Sequence, residues 1–535
     1  MNPLRRWIRA IDLTKKSAGM ILPDLLDQIA VSHGDQVALL GETEQLTYRQ
    51  LIHRVNGYAA SAIRQQITGQ TVALLMPNCP DYAAVWLGLI RVGCKVALLN
   101  TSLHRDSLMH CIRAVDAKYL IGSHDLINDV PLLELDANET ILDWPLPRPS
   151  DVALFIYTSG TTGLPKAANI THRRITEWSH WFAGMTAATP NDRLYDCLPM
   201  YHSIGGIVAV GSMLVSGGSV VIRQRFSASR FWDDVVETQC SIFQYIGELC
   251  RYLTSAPTNV NERHHTLRLA VGNGLQADIW RSFQERFAIP QILEYYAATE
   301  GVLSLYNCEG KPGAIGHIPP VLEPYLAVKL IQVDTETDEP KRSDNGFCIE
   351  SQAGEPGEAI CLLRSDRAFD GYNDVDASGR KILRNVFVDG DQWFRTGDLM
   401  RRDAEGFYYF VDRMGDTFRW KGENVSTTEV ANVVRQCPGV IDAIVYGVQV
   451  AGNEGRAGMA AVVSAEMFSL EALALHLDQQ LPSYARPLFV RLCTSLDATA
   501  TFKHTKNRFA AESYTSSSDP VYIRHDRGFV RAETV

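Results

Sequence analysis

Apolar, β-rich bursts alternate with helix-like stretches over most of this chain, which limits it to an α/β fold with largely parallel sheets. Val72-Ala-Leu-Leu-Met76 is followed by a helical pattern around Tyr82–Val92 and then by Val96-Ala-Leu-Leu99. Ala153–Tyr157, Ser219–Ile222, Leu267–Val271 and Ile292–Tyr295 repeat the theme, each near a helix-like segment. Turn-rich stretches at Asp334–Asn345 and Ala353–Glu358 flank strand-like sequence, so a more antiparallel region is expected before residue 410. Beyond Asp412 the pattern predicts a small α+β unit. It has a helix near Thr428–Cys437, strands at Ala443–Val448 and Gly458–Val463, and a helix near Leu470–Leu481. A chain of 535 residues exceeds a single core and corresponds to roughly three to four domain-sized units.

Composition excludes several classes. With 46% hydrophobic and 21% charged residues the chain is not a disordered one. Its 61 acidic and 51 basic side chains leave a net charge of −10, so it lacks the basic field of a nucleic-acid binder, and any phosphate must be held by local groups. Eleven cysteines without a Cys-x-x-Cys pair argue against a disulfide scaffold and a structural zinc site, and favour a reducing cytosol.

Two segments bear on membranes. Residues 1–16 hold no signal-length apolar run, so export is not expected. They do place Leu4, Trp7, Ile8 and Ile11 at helical spacing among Arg5, Arg6, Arg9, Lys15 and Lys16. Such a helix either lies on an anionic membrane surface or docks on the protein's own body. From Cys197 to Ile222 no charged side chain occurs, a length that could cross a bilayer. Gly205-Gly206, Gly211 and Gly217-Gly218 interrupt it. It therefore reads as a buried helix around Ile207–Val215, a Gly-Gly turn and a strand at Ser219–Ile222.

The most specific chemistry lies in Tyr157-Thr-Ser-Gly-Thr-Thr-Gly-Leu-Pro-Lys166, which leaves the apolar strand Val152–Ile156. The hydroxyls of Thr158, Ser159, Thr161 and Thr162, with backbone N–H groups freed by Gly160 and Gly163, can surround phosphate oxygens while Lys166 adds positive charge. Pro165 before the lysine and Ala167 after it exclude a Walker A loop.

This stretch resembles the adenylate-forming superfamily, and further motifs follow in that family's order. Tyr296-Ala-Ala-Thr299-Glu300-Gly301 resembles its second nucleotide motif, and Phe394-Arg-Thr-Gly-Asp398 its ribose motif. Val411-Asp-Arg413 through Val425 resembles the junction at which the C-terminal domain begins. The resemblance implies a large N-terminal domain of packed mixed sheets and helices, here 26–412 after a basic segment 1–25. A small mobile α+β domain, 413–535, would follow, hinged at Gly415 or Asp416. It implies that Thr299 binds the α-phosphate, Tyr296 stacks on adenine, Asp398 accepts from the ribose hydroxyls and Arg413 contacts the ribose–phosphate. Glu300 and Thr158 would hold Mg²⁺, a hard cation suited to oxygen ligands. Lys503, in Thr499-Ala-Thr-Phe-Lys503, takes the place of the mobile-domain lysine, with Lys506 as its rival. An ammonium there stabilises charge that gathers on the phosphoryl oxygens and pyrophosphate during attack.

Thr-Phe-Lys before His504, Phe226–Asp233, Gln244–Tyr252, Phe418–Glu429 and Leu481–Leu488 resemble the branch of very-long-chain acyl-CoA synthetases, also called fatty acid transport proteins. Ala500 replaces a glycine usual there. By that resemblance His202, Tyr245, Gly247 and Gly274 line the acid pocket, with Gly272 and Asn273 on the nucleotide side. Glycines at such positions leave room for an acyl chain beside the backbone. The expected partners are ATP, Mg²⁺, coenzyme A and a fatty acid, and no nucleic acid. The expected place is cytoplasmic, allowing peripheral contact at the inner membrane face through residues 1–16. Three readings stay open: a fatty acyl-CoA synthetase, the same chemistry on a steroid, aryl or carnitine-like acid, and a membrane transport protein with a secondary nucleotide site.

Overall fold

Strands whose side chains are apolar on both faces can be satisfied only between layers of helices, and the apolar bursts of this chain occupy that position. The computed structural model describes residues 2–122, 127, 129–140, 146–159, 165–300, 302–334, 337–364, 369–420, 423–450, 455–496, 506–515, 517–525 and 528–532. Two compact units are present, residues 1–322 with 363–382, and residues 323–362 with 383–535.

The first unit holds two sheets. In the smaller one Tyr119–Gly122, Thr71–Leu75, Lys95–Leu98 and β1 (Val152–Ser159) run parallel in that order, and β2 (Pro165–Thr171) closes it antiparallel to β1. Thr71–Leu75 is buried along its whole length. The larger sheet has a parallel centre of Ile292–Ala297, Leu269–Asn273, Ile242–Ile246, Arg193–Asp196, Ser219–Ile222 and Val37–Leu40. Antiparallel strands, Ser304–Asn307 and Gln45–Thr47, flank it. We label Ile242–Ile246 β3, Leu269–Asn273 β4 and Ile292–Ala297 β5.

The segment 197–222 folds much as its glycines require. A π-helical turn at Ser203–Ala209 runs into a short helix at Val210–Val215, and the strand Ser219–Ile222 follows. Gly206 is packed so closely that a Cβ would lie 1.8 Å from the Met200 carbonyl oxygen. Among the described residues no helix is long and apolar enough to cross a membrane.

The N-terminal helix α1 (Pro3–Lys16) is capped by Asn2 and packs against α2 (His172–Thr186). Its buried arc is Arg6, Trp7 and Ala10, while Leu4 and Ile8 are 39% and 55% exposed. The expected apolar stripe is thus divided, with Trp7 turned inward against Trp181 and Tyr306, both at 5.9 Å between ring centroids. Arg6 is buried because it donates to the Met185 carbonyl and, at 2.6 Å, to Gln291; Arg9 donates to the Ala188 carbonyl at 2.7 Å. Docking on the protein's own body is the arrangement observed.

The second unit combines an antiparallel sheet with an α+β layer. Val328–Ile331, Pro356–Leu362, β6 (Gln392–Arg402) and β7 (Phe407–Arg413) pair antiparallel in that order. Helix α3 (Thr427–Arg435) packs on the strand Val440–Gln449. That strand and Arg456–Ser464, Phe489–Cys493, Val521–His525 and Gly528–Arg531 form a five-stranded sheet. The expected helices and strands beyond Asp412 match these within a few residues, including a helix at Leu470–Gln480.

Candidate active site

The Gly/Ser/Thr loop closes a hairpin. Strands β1 and β2 pair up to Thr158 opposite Lys166 and Ser159 opposite Pro165, so Lys166 stands directly across from Thr158 at the mouth of the loop. No helix receives the chain after the loop, as a Walker A motif would need. Gly160, Thr161, Thr162 and Gly163 lie outside the described residues, as does Lys503.

The C-terminal ends of β3 and β4 meet Glu294 on β5. This carboxylate is buried, accepts from the Tyr245 hydroxyl at 2.5 Å, from the Leu275 N–H at 3.2 Å and from the Gly274 N–H. Burial pushes its pKa up to about 8 against the pull of those three donors. Tyr245 is wholly buried by this contact. The glycines here let strands and turns approach closely. A Cβ on Gly247 would meet the Gly274 carbonyl oxygen at 1.8 Å, and one on Gly272 the Tyr245 carbonyl oxygen at 2.1 Å. Both glycines therefore admit neighbouring backbone. Gly274, at φ +84°, needs its conformational freedom to turn after β4. The Asn273 side-chain oxygen is buried with no partner among the described residues, a polar atom open to a ligand. His202 precedes the π-helical turn and its ring lies 4.8 Å from that of Tyr201.

Tyr296 lies on β5 opposite Leu305, and Thr299 and Glu300 follow in the turn after that strand. The Glu300 carboxylate accepts a hydrogen bond from the Tyr372 hydroxyl. Burial and the nearby Glu300 charge raise the Tyr372 pKa, which keeps the phenol protonated as a donor. Among the described residues there is no cluster of three or more His, Cys, Asp and Glu side chains fit to hold a metal. A lone carboxylate suits Mg²⁺, which keeps waters and phosphate oxygens as most of its ligands.

In the second unit Asp398 on β6 pairs in register with Arg413 on β7, their side chains 3.7 Å apart. Arg395 holds the buried Glu358 at 2.8 Å and Thr396 donates to the Ala359 carbonyl at 2.7 Å, so β6 presents Asp398 from a braced strand. The turn after β7 has Gly415 at φ +83°. Lys506 donates to Thr427 at 2.5 Å and pairs with Asp416 at 3.2 Å. Asp412 accepts from the Thr427 N–H at 2.6 Å and from the Thr427 and Thr428 hydroxyls, anchoring the start of α3. Asp412 lies within the junction motif without a role read from it, and Glu294 and Tyr372 carried no sequence signal of their own. Each is an ordinary residue in a strand or polar turn, marked only by what it meets in space.

Residues 26–372 match the family model described as AMP-binding enzyme, and residues 429–503 match the AMP-binding enzyme C-terminal domain. Long-chain fatty acid transport protein 1 of Homo sapiens is 40% identical over 93% of this chain and 83% of its own length. Long-chain fatty acid transport protein 2 of Rattus norvegicus is 39% identical over 91% of this chain and 85% of its own. Among solved structures, ATP-bound MatB from Rhodopseudomonas palustris superimposes with a TM-score of 0.78 at 21% identity, covering 91% of this chain and 98% of that one. O-succinylbenzoate coenzyme A synthetase from Bacillus subtilis, in complex with ATP and magnesium, gives 0.74 at 22%, covering 90% and 98%. At that identity the likeness is one of fold.

Proposed function

The chain belongs to the AMP-binding enzyme family, and from that premise we propose that it is an ATP-dependent acyl-CoA synthetase acting on long- or very-long-chain fatty acids. A carboxylate oxygen of the acid attacks the α-phosphorus of ATP, and the bond to pyrophosphate breaks. The coenzyme A thiol then attacks the acyl carbon of the acyl-adenylate, AMP departs with the bonding electrons, and the thiol proton is released. The observation that carries the reading is the hairpin that sets Thr158 across from Lys166 at the mouth of the loop. A hydroxyl and an ammonium fixed on paired strands can meet phosphate oxygens without rearrangement.

Within this reading Thr158, Ser159, Gly160, Thr161, Thr162, Gly163 and Lys166 receive the phosphates. Gly272, Asn273 and Tyr296 meet the adenine side, Thr299 the α-phosphate, and Asp398 and Arg413 the ribose. Glu300 and Thr158 would hold Mg²⁺, which supplies positive charge to the phosphates when bound. Lys503 completes adenylation, and the 413–535 segment moves about Gly415 or Asp416 between the two half-reactions. The acid would pass by His202 and the loop at Gly247 and Gly274. The names of relatives at 39–40% identity favour a fatty acid over steroid, aryl or carnitine-like acids. The exposed Leu4 and Ile8 beside Arg5 and Lys15 support peripheral contact with an anionic bilayer.

Thioester formation from ATP and coenzyme A across a panel of fatty, steroid and aromatic acids tests the substrate class. The reading predicts turnover that rises with chain length. Turnover confined to aromatic or steroid acids contradicts it.

A further inference from the structure

We propose that Tyr372 is a positioning residue for the metal-binding carboxylate, its hydroxyl fixing Glu300 in the orientation that Mg²⁺–ATP meets. The inference rests on the reading of Glu300 as a ligand.

Glu300 lies in the turn after β5, where no backbone ladder restrains it. Its carboxylate would sample several rotamers unless something outside the turn held it. Tyr372 supplies that hold from a rigid place. Residues 370–373 run alongside β2, the strand that carries Lys166. Ala168 bridges to Tyr372, Asn169 N–H donates to Gly371 at 3.0 Å and Asn373 N–H donates to Ala167 at 3.0 Å. Asp370 fastens the segment to the start of α2 through Arg173 at 2.9 Å, Arg174 at 3.2 Å and the Thr171 hydroxyl at 3.1 Å. Tyr372 itself is 7% exposed and its N–H donates to Ser378 at 2.8 Å. The hydroxyl therefore reports the position of β2, and through it the carboxylate after β5 is referenced to the strand that carries Lys166.

The chemistry of the donor matters. A lysine or arginine at this place would pair with Glu300 and compete with a cation. A phenol donates one hydrogen bond to Oε1 and leaves the negative charge, with no hydrogen bond to Oε2 among the described residues. Ligating carboxylates commonly carry such an outer partner, whose loss costs about 10–100-fold in metal affinity.

The test uses the full-length protein with saturating ATP and no acid, with Mn²⁺ as the probe and free Mn²⁺ read by EPR. Tyr372→Phe keeps the ring and should weaken Mn²⁺ retention about 10–100-fold. It should raise the Mg²⁺ concentration needed for half-maximal adenylation, recover at high Mg²⁺, and leave KM for the acid unchanged. Combined with Glu300→Gln it should add nothing. Asp370→Asn loosens the segment but keeps the hydroxyl, so it should lower the melting temperature with a smaller effect on Mn²⁺. Equal weakening by Asp370→Asn and Tyr372→Phe would make the effect one of general packing and overturn the proposal. Wild-type Mn²⁺ retention in Tyr372→Phe beside a weakened Glu300→Gln would also overturn it. Wild-type retention in Glu300→Gln would instead overturn the reading of Glu300.

Discussion

Glu294 shows how a single buried carboxyl can set the pH behaviour of a strand junction. Its pKa in the fold is about 8, against an ordinary value of 4.5. Between those values the folded chain holds a proton that the unfolded chain has released. Stability is therefore greatest below about pH 4.5 for this group and is lost as pH rises through about 8. Glu294→Gln keeps a neutral side chain that accepts from Gly274 and Leu275 and cannot ionise. The melting temperature of the wild type should fall more steeply than that of Glu294→Gln between pH 6 and pH 9, by thermal denaturation at matched ionic strength. Parallel curves would place the titration elsewhere. At the same scale, Asp398→Ala should raise KM for ATP about tenfold or more with little change for the acid. Two charge-assisted hydrogen bonds to a ribose are worth that much. Steady-state kinetics with each substrate varied in turn checks it, and an unchanged ATP dependence would remove Asp398 from the nucleotide site.

Helix α1 tests the reading of an element. Trp7 fills a pocket against Trp181 and Tyr306, and Gly184 comes so near that a Cβ would lie 2.4 Å from the Ala10 Cα. Trp7→Ala should cost about 3–5 kcal/mol of stability, seen as a lower denaturation midpoint. Removing residues 1–16 would expose the same pocket, so membrane binding is better tested by Leu4→Ser with Ile8→Ser, which alters only exposed positions. That double variant should keep the melting temperature and lose salt-sensitive co-sedimentation with anionic vesicles. Undiminished sedimentation would end the peripheral-contact reading. The strands were legible in the sequence because a strand buried on both faces is a continuous apolar run, as Thr71–Leu75 is. The orientation of α1 was not. Helical spacing grouped Leu4, Trp7, Ile8 and Ile11, but the buried arc turned toward Arg6, whose guanidinium finds partners on Met185 and Gln291. Those partners are more than 170 residues away in sequence. The π-helical turn at Ser203–Ala209 escaped for a related reason, since one extra residue in a turn leaves no periodic mark. Thr158 and Lys166 stood out because a glycine-rich loop is local, whereas Tyr372 did not, because its place depends on its contact with Glu300.

At the scale of the whole molecule the nucleotide candidates divide between the two compact units, with Lys166, Tyr296 and Glu300 in the first and Asp398, Arg413 and the proposed hinge residues Gly415 and Asp416 in the second. In a reaction with two half-steps, the proposed swing of 413–535 would present one set of groups for adenylation and another for thioester formation. Lys503→Ala should then slow adenylation about a hundredfold or more, while thioester formation from pre-made acyl-adenylate survives. Lys506, already paired with Asp416 and Thr427, should matter less to adenylation when replaced by alanine. The formation of an acyl-adenylate is the claim on which the rest depends. It is tested most directly by exchange of labelled pyrophosphate into ATP in the absence of coenzyme A. Exchange that requires both a long-chain fatty acid and Mg²⁺, and that disappears in Lys503→Ala, is the predicted result. Pyrophosphate exchange that is absent with every acid, in a protein that still binds ATP, would contradict it.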